Sequence, residues 1–492
     1  MALKVAAHGI SRSSDTPSPM SIVVDEFRKK ILAGLVKSKE IRKTKKVRRK
    51  AMRGVRDPRL SEPKEAGWTF LINKKNAAGR KVIHTVSELA KHREMDDEED
   101  PLLFNDSPQD TWELWIEKYK TLRKGPFKTR PRYVLIIGSA DEIPIEFQSR
   151  LSRSAFVGRL DFDNVNELQT YVKKIIRIEQ TEKPLVAKNV TFFATDYGVT
   201  QAGCYDPTHF SRLDAENDLT DDVKNLHKDF PQIGGGFTTS ELFVEKATKP
   251  NLFKSIETSK PALVFASSWG MCVPGGATDL QKKYTGAICC QGDPGNMSAD
   301  DLLVTAESIA DEKPDKPILE GGVFFQHTSF GFGTPASSQL HKFISGAEKW
   351  GMPKKIAQKG FVAELPKALV FREHGPLAFI GHFDEMLSYT YAPNENYKED
   401  KTIRLQPLSA TINQLLRGNP VGYAIGNSMN NLLDDIDNAI YDKSVLLHKV
   451  NKNLTEKELQ KEYAGELLDK FLERHQATNF MVFGDPAAQI LV

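Results

Sequence analysis

Cysteine is scarce in this chain: Cys204, Cys272, Cys289 and Cys290 are the four in 492 residues. None belongs to a paired C-x-x-C set, which argues against a disulfide framework or a structural zinc site and favours a reducing compartment. No segment approaches the ~18 continuous apolar residues of a membrane span, and the first twenty residues carry no apolar stretch ending in a small-residue cleavage site. These absences predict a soluble, unsecreted, cytoplasmic protein with no membrane span. The "GGG" at 234–236 leads into "FTTSEL" without a following Gly-Lys-Ser/Thr, and no G-x-G-x-x-G follows a strand. Histidines are scattered without i, i+4 partners, so neither a nucleotide cofactor nor a metal is expected.

What is present is an ordinary globular composition, 40% hydrophobic and 27% charged, long enough for two or three domains with a large core. The net charge of +3 conceals an asymmetry. Residues 1–60 hold 17 Lys+Arg against 5 Asp+Glu, a net +12 that leaves −9 for 61–492. The basic block peaks in "KSKEIRKTKKVRRKAMRGVR", Lys37 to Arg56. Such a block repels itself unless it meets phosphate, anionic lipid or an acidic protein face. It lacks interleaved aromatics for base stacking, so a helical or disordered arm that docks a protein, or a second copy, is the preferred reading over nucleic-acid binding. Within 21–36, Ile22, Val23, Phe27, Ile31 and Leu35 stand at near-helical spacing and predict an amphipathic helix.

From residue 61 onward, short β-rich runs alternate with helical segments, the pattern of an α/β fold with largely parallel sheets. "GWTFLIN" (67–73) and "YVLII" (133–137) read as strands, and "VNELQTYVKKIIRIEQ" (165–180) as an amphipathic helix. Pro184 marks a boundary between an N-terminal α/β subdomain, 61–183, and a second one, 184–492. The second holds four buried-strand candidates: "NVTFFATD" (189–196), "ALVFASS" (262–268), "GGVFFQHTS" (321–329) and "LAFIGHF" (377–383). Each ends in small or polar residues, and the carboxyl ends of parallel strands are where sites are built. The final run, "NFMVFGDPAAQILV", reads as a strand tied into the sheet.

Taken in order, "YVLIIGSADEIPIEFQSRL", "AFVGRLDFDNVNELQTYV", "ALVFASSWGM", "GAICCQGDPG", "VFFQHTSFGFGTP", "GPLAFIGHFDEMLSYTY", "RGNPVGYAIGNSMN" and "FGDPAAQI" resemble the gingipain-type cysteine peptidases, peptidase family C25. The resemblance spans about 66–492 and leaves the basic arm outside. It implies two side-by-side α/β subdomains, the second a caspase-like, mostly parallel sheet flanked by helices. It also implies a catalytic His after the strand "ALVFASS" and a catalytic Cys at the end of "GGVFFQHTS". Aligning Gly270 puts Trp269 at the histidine position, and aligning "GFGTP" (331–335) puts Ser329 at the cysteine position.

Indole N–H donates only and has no basic nitrogen, and serine without a base is a weak nucleophile. Loss of such a pair removes on the order of 10⁶-fold in rate. The leading expectation is therefore a pseudopeptidase that binds or assembles through its fold and its arm. The second is an active cysteine endopeptidase, either with Cys272 as nucleophile and His327 as base or with its cysteine at 329 replaced by serine. A third, nucleic-acid binding through Lys37 to Arg56, rests on charge alone. By the resemblance, His382 is an orienting residue, with Asp384 and Glu385 following it on the same loop. Ser267 and Ser268 offer donors at a strand end, and one of Cys289 and Cys290 is expected to be buried and structural.

Overall fold

The computed structural model describes residues 4–11, 18–23, 58–75, 80–95, 101–105, 114–116, 119, 131–196, 209–233, 235–292, 297–339, 355–386, 401–450 and 470–492. Among these, the strands in chain order are β1 Lys4–Ser11, β2 Ser18–Val23, β3 Trp68–Asn73, β4 Leu102–Phe104, β5 Tyr133–Ile137 and β6 Phe156–Leu160. They continue with β7 Ala187–Ala194, β8 Thr238–Phe243, β9 Pro261–Ser267, β10 Gly270–Cys272, β11 Ile288–Cys289 and β12 Leu303–Val304. The last five are β13 Val323–His327, β14 Gly333–Thr334, β15 Phe361–Val362, β16 Ala378–His382 and β17 Phe480–Gly484. Helices used below are α1 Arg80–His92, α2 Val165–Glu179, α3 Glu364–Val370, α4 Lys401–Leu416 and α5 Val421–Val450.

Ten strands form one sheet in the order β4, β3, β5, β6, β17, β16, β13, β9, β7, β8. Every neighbouring pair is parallel except β16 and β17. The sheet is thus two five-stranded parallel blocks of opposite direction, side by side, with the single antiparallel joint between them. Helices flank it, and this is the mixed α/β class with a mostly parallel sheet that the resemblance implied. The C-terminal strand is the link: β17 runs parallel with β6 of the first half and antiparallel to β16 of the second.

The strand sequences explain their places. β9 is buried at all seven positions, and β5, β13, β16 and β17 at all five. Continuous Leu, Val, Phe and Ile without alternation is what a strand covered on both faces requires. Phenylalanine fills the layers above and below, with Phe265 edge-on to Phe325 at 5.0 Å and Phe324 stacked on Phe379 at 5.5 Å.

Helix α2 starts where Asn164 accepts the backbone N–H groups of Asn166 and Glu167. It buries Leu168, Tyr171, Val172, Ile175 and Ile178, together with Lys174. The Lys174 ammonium is satisfied by the carbonyls of Val370, Arg372 and Pro376, so it closes the C-terminal end of α3. Helices α4 and α5 flank the Gly-Asn-Pro break, as the sequence indicates.

The arm departs from the helical expectation at its start. Ile22 and Val23 lie in β2, and β1 and β2 form a hairpin that joins a second sheet in the order β12, β11, β10, β1, β2. The rest of the expected helix and the block Lys37 to Arg56 lie outside the described residues. β4 falls inside the acidic stretch 95–110.

Candidate functional site

The positions singled out by sequence gather beyond the carboxyl ends of β9, β13 and β16. β9 and β13 are parallel neighbours with Ser267 opposite His327, so the chain segments that follow them stay side by side. An ideal Cβ on Gly270 would sit 1.7 Å from the Ser329 carbonyl oxygen. The backbones at Gly270 and Ser329 therefore touch, and only glycine permits the approach.

Ser329 is fully buried. Its hydroxyl accepts the Met386 N–H at 2.9 Å and donates to the Met386 carbonyl at 3.3 Å. It thus pins the segment after β16 to the segment after β13. Strand β13 ends at His327, so strand alternation does not extend to Ser329.

Trp269 is 3% exposed and packs with Met271, Ala287, Cys289 and Leu303 in a small apolar cluster on the β10–β12 side. Cys272, on the alternate face of β10, packs instead with Phe330 and Ile356. Its thiol is pushed well above the ordinary cysteine range by burial, with Glu385 and Asp384 adding to the effect. His327 lies flat between Phe265 and Phe480, both 5.7 Å away, with Phe325 edge-on. Ser267 and Ser268 are buried, and Ser268 Oγ donates to the Trp269 carbonyl at 3.1 Å. Cys289 and Cys290 are both buried.

His382 has the densest polar surroundings. Its Nδ1 faces the Asp384 carbonyl at 3.1 Å and its Nε2 the Gln476 carbonyl at 3.2 Å. A second buried histidine, His475, lies edge-on at 6.1 Å, contacts the Glu385 carbonyl at 3.2 Å and comes within 4.0 Å of Asp384 Oδ2. Asp384 itself accepts the N–H groups of Gln339 and Glu385, at 2.7 and 2.8 Å.

Two non-glycine residues here have positive φ, Phe330 at 60° and Asp384 at 104°. They are joined by Phe330 N–H donating to the Asp384 carbonyl at 2.9 Å. Backbone held in such regions persists only where the surroundings over-determine it. His475 and the paired strain at Phe330 and Asp384 escape sequence reasoning. His475 belongs to a helix remote in sequence, and no motif marks either backbone feature.

Burial, with His475 beside it, lowers His382 to about 3, and burial lowers His475 to about 4. Both stay neutral in the fold while the unfolded chain takes up protons below about 6.5. Their contribution is complete above that pH and is lost as pH falls toward the folded values, by up to about 1.4 kcal/mol per pH unit for each histidine. Glu385 has the opposite sign. Burial, then Asp384, raises it well above the carboxylate range, so its penalty grows as pH rises above its unfolded value and shrinks on acidification. Above its unfolded value it therefore opposes the histidines. Glu385→Gln is expected to steepen the acid loss of stability, since it removes the opposing group. Urea midpoints at pH 7 and pH 5 measure it, and parallel profiles for the two proteins would contradict the assignment.

Among the described residues no group of three or more His, Cys, Asp or Glu is arranged to hold a metal ion, and no helix is long and apolar enough to cross a membrane. The described residues form a mixed α/β fold built on a mostly parallel ten-stranded sheet. Residues 105–265 match the family model described as peptidase family C25. The match ends in β9, four residues before Trp269. No curated protein matches the chain. Among solved structures it is similar to the Arg-specific cysteine proteinase gingipain R, at 12% identity over 87% of this chain and 79% of that one, with a TM-score of 0.44. It is likewise similar to the complex of the pro- and mature domains of that enzyme from Porphyromonas gingivalis, at 12% identity over 86% and 80%, with a TM-score of 0.45.

Proposed function

We propose that this chain keeps a C25 peptidase fold whose inherited dyad is gone, and that it works as a binding or assembly module with residues 1–60 as its docking element. The observation that carries this reading is Ser329: the hydroxyl at the position of the family cysteine is buried and is engaged on both sides by the Met386 backbone. Nucleophilic attack requires a group that a neighbouring base can deprotonate and a carbonyl can reach. A hydroxyl that holds two chain segments together serves a structural purpose. Trp269, at the histidine position, is likewise committed to its own apolar cluster and offers no base.

The rewired pair is disfavoured on chemical grounds. A nucleophilic cysteine needs an electropositive, partly exposed setting that lowers its pKa. Cys272 has a buried setting beside two acidic side chains, which raises it. His327 is held as a ring between two phenylalanines. Hydrolysis of peptides by this chain and by its Ser329→Cys variant tests the reading, with no turnover expected from either. The docking half predicts that self-association, followed by sedimentation, disappears when residues 1–60 are removed, and unchanged sedimentation would refute it. Nucleic-acid binding through Lys37 to Arg56 instead predicts duplex binding that weakens steeply with salt.

A further inference from the structure

We propose that the open edge of β10 is a binding site for an extended peptide, and that residues 4–11 of this chain occupy it as a displaceable strand. β1 runs parallel with β10 in the register Gly9 to Gly270, Ile10 to Met271 and Ser11 to Cys272. On its other side β10 meets β11 at Gly270 alone, opposite Ile288. The segment next to the Trp269 and Ser329 positions is therefore completed by strand addition from the N-terminus. Main-chain pairing to an exposed edge is a general mode of peptide capture, with affinity from the ladder and selectivity from alternate side chains.

Three features make the occupant exchangeable. The attachment is short, three residue pairs out of the eight residues of β1. A two-stranded hairpin such as β1 with β2 is marginal without a third strand, so the hairpin and the β10 edge depend on each other. Lastly, 34 residues separate Val23 from Pro58, enough chain for the hairpin to leave β10 without displacing the body. The outer strand also closes the sheet: β2 contains Pro19, a residue that strands tolerate at edges and that discourages further addition. Glycine opposite glycine at one end of the pairing, followed by Ile10 opposite Met271, specifies the class of ligand, an extended segment with a small residue followed by an apolar one, as in Gly-Ile-Ser.

The proposal stands whether or not the neighbouring site is catalytic, since it concerns only the ladder on β10. The test is hydrogen exchange followed by mass spectrometry on the full chain and on its Gly9→Pro/Ile10→Pro variant. In a ladder, successive residues present their N–H groups to opposite sides, so the double change removes a donor facing β10 whichever residue supplies it. The amides of 269–273 are expected to exchange at least tenfold faster in the variant. A synthetic peptide of residues 1–23, added to the variant, should restore their protection, and the same peptide carrying both prolines should not. Unchanged exchange at 269–273 would overturn the proposal. So would faster exchange that the unmodified peptide fails to reverse, or that the proline peptide reverses equally well.

Discussion

Gly270→Ala is expected to cost more than about 4 kcal/mol, the range reserved for changes the structure cannot absorb. An added Cβ would lie 1.7 Å from the Ser329 carbonyl oxygen and 2.6 and 2.9 Å from its carbonyl carbon and amide nitrogen. All three are backbone atoms of a segment already fixed by the Ser329 hydroxyl on Met386 and by Phe330 N–H on Asp384. Neither side can retreat by rotating a side chain. Gly275→Ala is the control, because that glycine has a φ of +66° but nothing within 4 Å of the added carbon. Its cost should be only the backbone preference, about 1 kcal/mol. Urea unfolding of the two variants separates contact from conformation. Similar losses would mean that the segments at Gly270 and Ser329 are not in backbone contact.

The second large effect concerns the buried ionic node that fastens the chain end. Asp485 accepts Trp68 Nε1–H at 2.9 Å and Arg93 Nε–H at 2.8 Å, and its own backbone N–H donates to the Tyr171 hydroxyl. Arg93 also clasps Glu179 through both terminal nitrogens, at 2.6 and 2.7 Å. Burial alone would lower the guanidinium, but Asp485 and Glu179 outweigh it and hold Arg93 above its ordinary value. Removing one partner of such a set strands a charge where water cannot reach, at about 3–5 kcal/mol. Arg93→Met leaves Asp485 and Glu179 without their shared cation and should lower the unfolding free energy by that amount. A urea midpoint within error of the parent would show that the node contributes nothing net.

Sequence patterns revealed the central strands because a strand covered on both faces must be apolar throughout. The four runs ending in "FATD", "FASS", "FQHTS" and "IGHF" accordingly correspond to β7, β9, β13 and β16. Helix α2 was legible from its spacing. The antiparallel joint was not, since the sequence of β17 shows that it is buried and gives no direction. Nor was β2, because Ile22 and Val23 fit a helical stripe as well as a strand, and pairing with β1 decides between them.

At the site, the motif context located Trp269, Ser329 and His382 and brought them to neighbouring strand ends. It gave no hint that Trp269 packs toward β11 and β12, away from Cys272. It also gave no sign of the Met386 backbone on Ser329, a contact made across 57 residues. Those facts depend on which face of β10 each residue takes, and a three-residue strand has too little pattern to reveal it. Asp485 illustrates the converse. "FGDP" looks like a simple turn, yet its carboxylate meets Trp68 and Arg93 from the other end of the chain.

The most direct measurement is digestion of a diverse peptide mixture, read by mass spectrometry, with the full chain, its Ser329→Cys variant and its Cys272→Ala variant side by side. A closed site predicts peptide profiles indistinguishable from the protein-free control for all three. Cleavage by the full chain that disappears with Cys272→Ala would establish a relocated nucleophile, and cleavage that appears with Ser329→Cys would show that Trp269 is compatible with catalysis. Either result would contradict the account.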